Sequence, residues 1–268
     1  MTATAPTDHH VLLLRLAAPL QSWGDRSAFN RRETRPQPTK SGVVGLLAAA
    51  TGRPRGGAID DLARLRLGIR TDQPGTLLRD YHTVSDYRGR PLLSSAVNAK
   101  GLQKLTSPTK HTHVTQRFYL QDAVFVAALA GPRDLIDILR HALVRPAFPL
   151  ALGRRSCVPT HPLLLGVRDG GLRDVLEQEP WQVPRRARER WGRNHGNATH
   201  IDLPATLDDP DGGDIREDVP LTFAAKDRAF TTRTVLDTFL AAPTGLTPDP
   251  ARPQPDSGGH DPFALLGW

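Results

Sequence analysis

A single cysteine, Cys157, leaves this chain of 268 residues no intramolecular disulfide, so its cysteine usage gives no support to a secretory fold. No uninterrupted apolar stretch approaches bilayer-spanning length, and residues Met1 to His10 lack the apolar core of a signal peptide. A soluble cytoplasmic protein without membrane association is expected. Walker loop, dinucleotide-binding glycine fingerprint and serine-nucleophile elbow are all missing. The closest histidine pair, His111 and His113, has no Cys partner and no acidic ligand beside it in its basic segment, so no metal site is expected. No cofactor is expected either.

What is present is a basic chain. Thirty-five Lys and Arg against 28 acids give a net charge of +7 and a pI near 10.1. That balance favours a polyanionic partner, although an arginine excess is also common in GC-rich genomes. The length suffices for a substantial core in one large or two small domains.

The stretch from Pro38 to Gly52 organises the first half. Thr39 or Ser41 can cap a helix, Leu46, Leu47 and Ala50 can bury one face, and Gly52 is a natural stop. A helix N-terminus carries unpaired N–H groups and partial positive charge, so Lys40 and the small Gly42 make this corner suitable for a phosphate. An ordinary buried, well-capped helix is the alternative. Upstream, Val11 to Leu16 reads as a strand covered on both faces, and Gln21 to Pro38 as a long basic loop with Arg26, Arg31, Arg32 and Arg35. Downstream come a short helix at Asp60 to Leu65 and strands at Leu67 to Thr71, Leu77 to Val84 and Ala123 to Leu129. A helix from Pro132, with Leu135, Ile136, Leu139, Ala142 and Leu143 on one stripe, ends at Pro146, and a late strand covers Pro162 to Val167. This order matches the split βαβ or ferredoxin-like plan.

Between Val84 and Phe118 the apolar content collapses. Arg88, Arg90, Lys100, Lys104, Lys110, His111, His113 and Arg117 face a single acid, Asp86. The aromatic and β-branched flanks predict a hairpin rising from the sheet, with a solvated disordered insertion as the alternative. Rings at the roots of a basic arm point to nucleic acid, because rings stack on bases while Lys and Arg follow phosphates.

A second focus is Leu152 to Pro162. Arg154 and Arg155 behind Gly153 suit a rigid turn that offers guanidinium forks to phosphate or carboxylate, or else a surface turn with incidental arginines. Cys157 and His161 invite a nucleophile reading, but no orienting third group accompanies them and a lone Cys is usually core. Beyond Val167 the sequence predicts a short helix at Leu172 to Gln178 and a solvated basic patch where Arg185, Arg186, Arg188, Arg190 and Arg193 surround Trp191. Asp208, Asp209, Asp211, Asp214, Glu217 and Asp218 are expected to form an acidic loop facing solvent or a basic partner. Closing strands follow at Val219 to Phe223 and Phe230 to Val235. A flexible tail from Pro243 ends in an apolar plug, Phe263 to Trp268.

Four segments carry a family resemblance: Leu13 to Gly24, Pro38 to Leu47, Leu78 to Val84, and Leu152 to Cys157 with Thr160 to Leu163. In this order they resemble the Cas-five family of RAMP proteins, in the CasD form found in type I-E CRISPR Cascade. The resemblance implies an α+β fold, with a ferredoxin-like (RRM-like, βαββαβ) palm, a protruding β-hairpin thumb at about 82–118 and a small C-terminal β extension at about 168–242. One domain would cover 9–242, followed by the tail at 243–268. It further implies a non-catalytic RNA-binding subunit that caps the 5′ handle of the crRNA and contacts the Cascade backbone and large subunits. Target DNA would be engaged only indirectly. By position, Gln21, Trp23 and Gly24 with Thr39, Lys40 and Ser41 would line the handle site. Arg79, Tyr81, His82, Arg117 and Tyr119 would lie at the thumb root, with Arg154, Arg155 and Ser156 beside the RNA. Lys40, Arg154 and Arg155 would take phosphates. The competing expectation is a metal-independent endoribonuclease acting on repeat RNA through His82, Tyr81, Lys40 or His161.

Overall fold

The computed structural model describes residues 10–24, 30–86, 111–224 and 226–247. In chain order the elements are β1 (Val11–Ala17), β2 (Leu20–Gln21), β3 (Arg31–Arg32), α1 (Lys40–Ala50), α2 (Asp60–Ala63), β4 (Arg66–Gln73), β5 (Thr76–Asp86) and β6 (His111–Gln121). There follow β7 (Val124–Ala130), α3 (Arg133–Val144), β8 (Leu164–Arg168), α4 (Leu172–Gln178), α5 (Arg185–Asn194), β9 (His200–Asp208), β10 (Asp214–Thr222) and β11 (Ala229–Pro243).

Seven strands form one antiparallel sheet in the order β10-β11-β9-β4-β7-β1-β8. Within it α1 lies between β1 and β4, and α3 between β7 and β8, which is a βαββαβ connectivity. The apolar run of β1 follows from its burial on both faces. Leu12, Leu14 and Leu16 join a core with residues of α1, α2 and α3, while Val11 and Leu13 join another with Leu172, Val175 and Leu176 of α4. A sheet covered on one side only would have shown polar residues at alternate positions.

The second sheet is organised on β6. β2 pairs with it antiparallel and β3 parallel, while β5 pairs with it from Thr76 opposite Gln121 to Asp86 opposite His111. The expected hairpin is therefore present at its root, and its tip, 87–110, lies outside the described residues. The segment from Gln21 to Pro38, expected as a loop, instead supplies β3 and the end of β2 and docks on the hairpin root; Arg26 also lies outside the described residues.

Three further expectations are corrected. The acidic segment is not a solvated loop throughout, because Asp208 ends β9, Asp218 lies in β10, and both are buried. The closing pair of strands is a set of three, with β9 joining the extension directly to β4. Pro243 and Thr244 belong to the body: β11 runs to Pro243, and Thr244 is fully buried, donating from its N–H to the Thr199 carbonyl at 2.8 Å. The plug at Phe263 to Trp268 lies outside the described residues. No helix among them is long and apolar enough to cross a membrane.

Candidate nucleic-acid interface

The corner at the start of α1 faces inward. Thr39 is the N-cap, its hydroxyl accepting from the Gly42 N–H at 3.2 Å and lying 3.2 Å from the Ser41 hydroxyl. The anion at this helix end is the protein's own: the Lys40 backbone N–H donates to Asp218 Oδ2 at 2.7 Å. The Lys40 ammonium donates to Asp208 Oδ2 at 2.8 Å, and that same oxygen accepts from the Leu67 N–H at 2.9 Å. Arg233 completes the cluster, gripping Asp218 through Nε at 2.7 Å and Nη2 at 3.0 Å and also donating to Asp208. Burial works against the Arg233 charge, but the two carboxylates outweigh it and hold the guanidinium's pKa above its ordinary value. Thr39, Lys40 and Ser41 are all buried, so a corner expected to hold RNA phosphate holds α1 to the C-terminal strands.

Gln21 and Trp23 are also interior. The Gln21 amide donates to the carbonyls of Leu16 at 3.1 Å and Ala123 at 2.6 Å, and its oxygen accepts from Trp23 Nε1 at 3.1 Å. Trp23 is 1% exposed and lies against Gly42, where a β-carbon would sit 2.7 Å from the ring. Gly42 is thus small because the indole occupies the space a side chain would need. Gly24 lies next to this packing, close to the Glu33 carbonyl.

Arg154 is a clamp. Its Nη1 donates to the Phe118 carbonyl on β6 at 3.0 Å and its Nη2 to the Arg32 carbonyl on β3 at 2.7 Å, while its guanidinium lies 4.6 Å from the centre of the buried Tyr119 ring. These donors satisfy backbone carbonyls, contrary to the phosphate role expected for them. Arg155 and Ser156 on the same turn are exposed. Cys157 is 1% exposed, and burial pushes its thiol up, the opposite of an activated nucleophile; His161 is on the surface.

The exposed members of the expected site are on the β5–β6 ribbon. Arg79, Tyr81, His82 and Arg117 all reach solvent, with Tyr81 59% exposed. Strand alternation divides them. Arg79 stands opposite Phe118 and Tyr81 opposite Gln116 on one face, whereas His82 and Arg117 share the other face with Tyr119. Arg31, from the docked segment, lies over the Phe118 ring at 5.1 Å beside the Arg79–Tyr81 face, with its Nε donating to Glu33 Oε1 at 2.7 Å. Sequence reasoning did not assign Arg31 and Phe118 to the site. Arg31 stood in the noted basic stretch, but its register on β6 depends on a pairing between segments some 85 residues apart (116 − 31).

Chemically, the Arg79–Tyr81 face joins an exposed ring to guanidinium groups. The Tyr81, His82, Lys40 and His161 needed for acid–base cleavage are not assembled: Lys40 is buried on Asp208, and Tyr81 and His82 point from opposite faces of the ribbon.

Residues 11–236 match the profile of the family described as CRISPR-associated protein (Cas_Cas5), and the chain belongs to that family. It is 36% identical over 173 residues to the CRISPR system Cascade subunit CasD of Escherichia coli (strain K12), a match covering 58% of this chain and 70% of that one. Two solved structures are also similar. One, described as a crystal structure of a Cas protein, is 36% identical with a TM-score of 0.63, covering 88% of this chain and 98% of its own. The other, from a CRISPR RNA-guided surveillance complex, is 33% identical with a TM-score of 0.67, covering 90% and 95%.

Proposed function

We propose that this protein is a non-catalytic RNA-binding subunit of a CRISPR Cascade surveillance complex in the cytoplasm, where its ferredoxin-like palm and thumb root cap the 5′ handle of the crRNA. Other faces contact the adjacent backbone subunit and the large subunit, and target DNA is met through the assembly. The reading is carried by one observation: β5 presents exposed Arg79 and Tyr81 on one face, with Arg31 held over Phe118 beside them. A ring that can stack on an unpaired base next to cations that can follow phosphates is the chemistry of single-stranded RNA binding. Family membership and the likeness to a surveillance-complex chain support the partner. The buried cluster at Lys40 ties α1 to the C-terminal strands, and the interior Gln21 and Trp23 support the ribbon's base; neither group touches RNA.

The test is binding of the full chain to a labelled repeat-derived 5′ handle RNA across a salt series, beside a scrambled RNA. Handle preference is expected, and Arg79→Ala should make the salt slope shallower by about 0.7 for the phosphate left without its cation. Equal weak binding to both RNAs, unchanged by the substitution, overturns the handle-capping role of this surface.

A further inference from the structure

The basic segment after Pro184 is a helix with two chemically different sides. α5 turns Ala187 and Trp191 onto a cluster of Trp181, Val183, Ile201, Leu203 and Ala242. Trp191 meets Trp181 edge-on at 5.6 Å and lies flat against His195 at 4.2 Å. The helix is seated closely at Gly192, where a β-carbon would come 2.5 Å from Asn197 Oδ1. At about 100° per residue, Arg186, Arg190 and Arg193 fall on one stripe facing away from that cluster.

Arg186 and Arg190 are exposed and make no hydrogen bond or ion pair among the described residues. Their neighbours are engaged: Arg185 donates to Glu189 at 2.6 Å and Arg188 to the Thr244 carbonyl at 3.3 Å. Two guanidinium groups are thus left to solvent, one turn apart on a rigidly packed helix.

We propose that this stripe grips the phosphate backbone of a double-stranded nucleic acid, at a surface separate from the thumb root. The sidedness favours a duplex. Single strands bind where exposed rings can stack on bases, and here both indoles and the imidazole face the cluster, leaving at the surface guanidinium groups and one acid, Glu189, which is paired with Arg185. A duplex hides its bases and offers a regular row of phosphates. Arg186 and Arg190 rise about 6 Å relative to each other along the helix axis, and their planar forks suit phosphate oxygens. Binding of this kind positions a duplex without reading its sequence. The proposal does not depend on the handle-capping role.

The test is fluorescence anisotropy of the full chain with a short DNA duplex, a short RNA duplex and a single-stranded handle RNA, each over a salt series. The chain is compared with Arg186→Ala/Arg190→Ala, Arg186→Lys/Arg190→Lys and Arg79→Ala/Arg117→Ala. The expected result is duplex binding that falls roughly tenfold in the 186/190 alanine pair, with the salt slope reduced by about 1.8 because two phosphates are no longer neutralised. The lysine pair should keep most of the salt slope, the 79/117 pair should leave duplex binding unchanged, and the thermal midpoint should not move. The more tightly bound duplex identifies the partner. Absence of duplex binding, an unchanged affinity and slope in the alanine pair, or an equal loss on single-stranded RNA overturns the proposal.

Discussion

The α-carbon of Gly153 lies so close to the Ser22 carbonyl that a β-carbon on it would sit 1.7 Å from that oxygen. Its φ of +93° is also one that side chains disfavour, and the two segments are tied by the Ser22 N–H donating to the Leu152 carbonyl at 3.1 Å. This close approach sets the turn from which Arg154 reaches β3 and β6.

Gly153→Ala should therefore destabilise the protein by more than about 2 kcal/mol, since both the clash and the backbone conformation act against it. Thermal melting should show a midpoint lower by about 2–4 °C for each kcal/mol of stability removed. A variant that melts like the parent would show that the turn yields without cost.

Lys40→Ala should cost stability and leave RNA binding intact. It strips Asp208 of a buried cation, a change that typically costs about 3–5 kcal/mol, and adding Asp208→Ala should recover part of the loss. Denaturant unfolding beside RNA titration separates the roles. A stable Lys40→Ala protein with weakened RNA binding would place this lysine on RNA after all.

Tyr81 and Trp23 should behave oppositely. Tyr81→Ala should weaken handle binding by about 1–3 kcal/mol with an unchanged melting midpoint, as loss of a stacking ring does. Trp23→Ala should instead lower stability by about 3–5 kcal/mol through the cavity it leaves. Repeat hairpin RNA incubated with the protein or with His82→Ala should stay intact; specific cleavage abolished in the variant would convert the reading to a ribonuclease.

Acid sensitivity should be traceable to Asp61. Hydrogen bonds from Arg53, at 2.5 and 2.6 Å, hold its carboxyl below the ordinary value despite an opposing burial effect. A depressed folded-state pKa means that the unfolded chain takes the proton first as pH falls. The contribution is present above the ordinary carboxylate pKa and is lost as pH drops through the lowered folded value. The stability difference between the parent and Asp61→Asn should accordingly shrink as pH falls below the ordinary carboxylate pKa in denaturant titrations.

Much of the palm was legible because its elements carry local signals. The two-sided run of β1, the Thr39 cap of α1, the stripe of α3 and the bounds of α4 all follow from neighbours within a few residues. β9 was missed although Ile201, Leu203, Ala205 and Leu207 alternate, because Pro204 argues against an interior strand. The structure accommodates it: the ladder to β4 stops at Ala205, one residue short of the proline. The candidate site was harder to read. Lys40, Arg154 and Arg79 look alike as basic residues near motifs, and only the fold separates a lysine committed to Asp208 and an arginine clamping carbonyls from one in solvent. Partners as far away as the 168 residues between Lys40 and Asp208 leave no local trace.

That separation also gives the chain a schedule. α1 leaves the ribosome well before the carboxylates on β9 and β10 that bind its N-terminal residue, and before β9, the strand that covers the open side of β4. At about 5–20 residues per second, 168 residues take roughly 8–34 s to synthesise. Throughout that interval the nascent chain carries a charged helix end without its counterions and, once β4 has been made, a strand edge without its neighbour. A truncated chain ending before β9 should therefore be captured by chaperones or aggregate, because β4 keeps an open edge until β9 has been made.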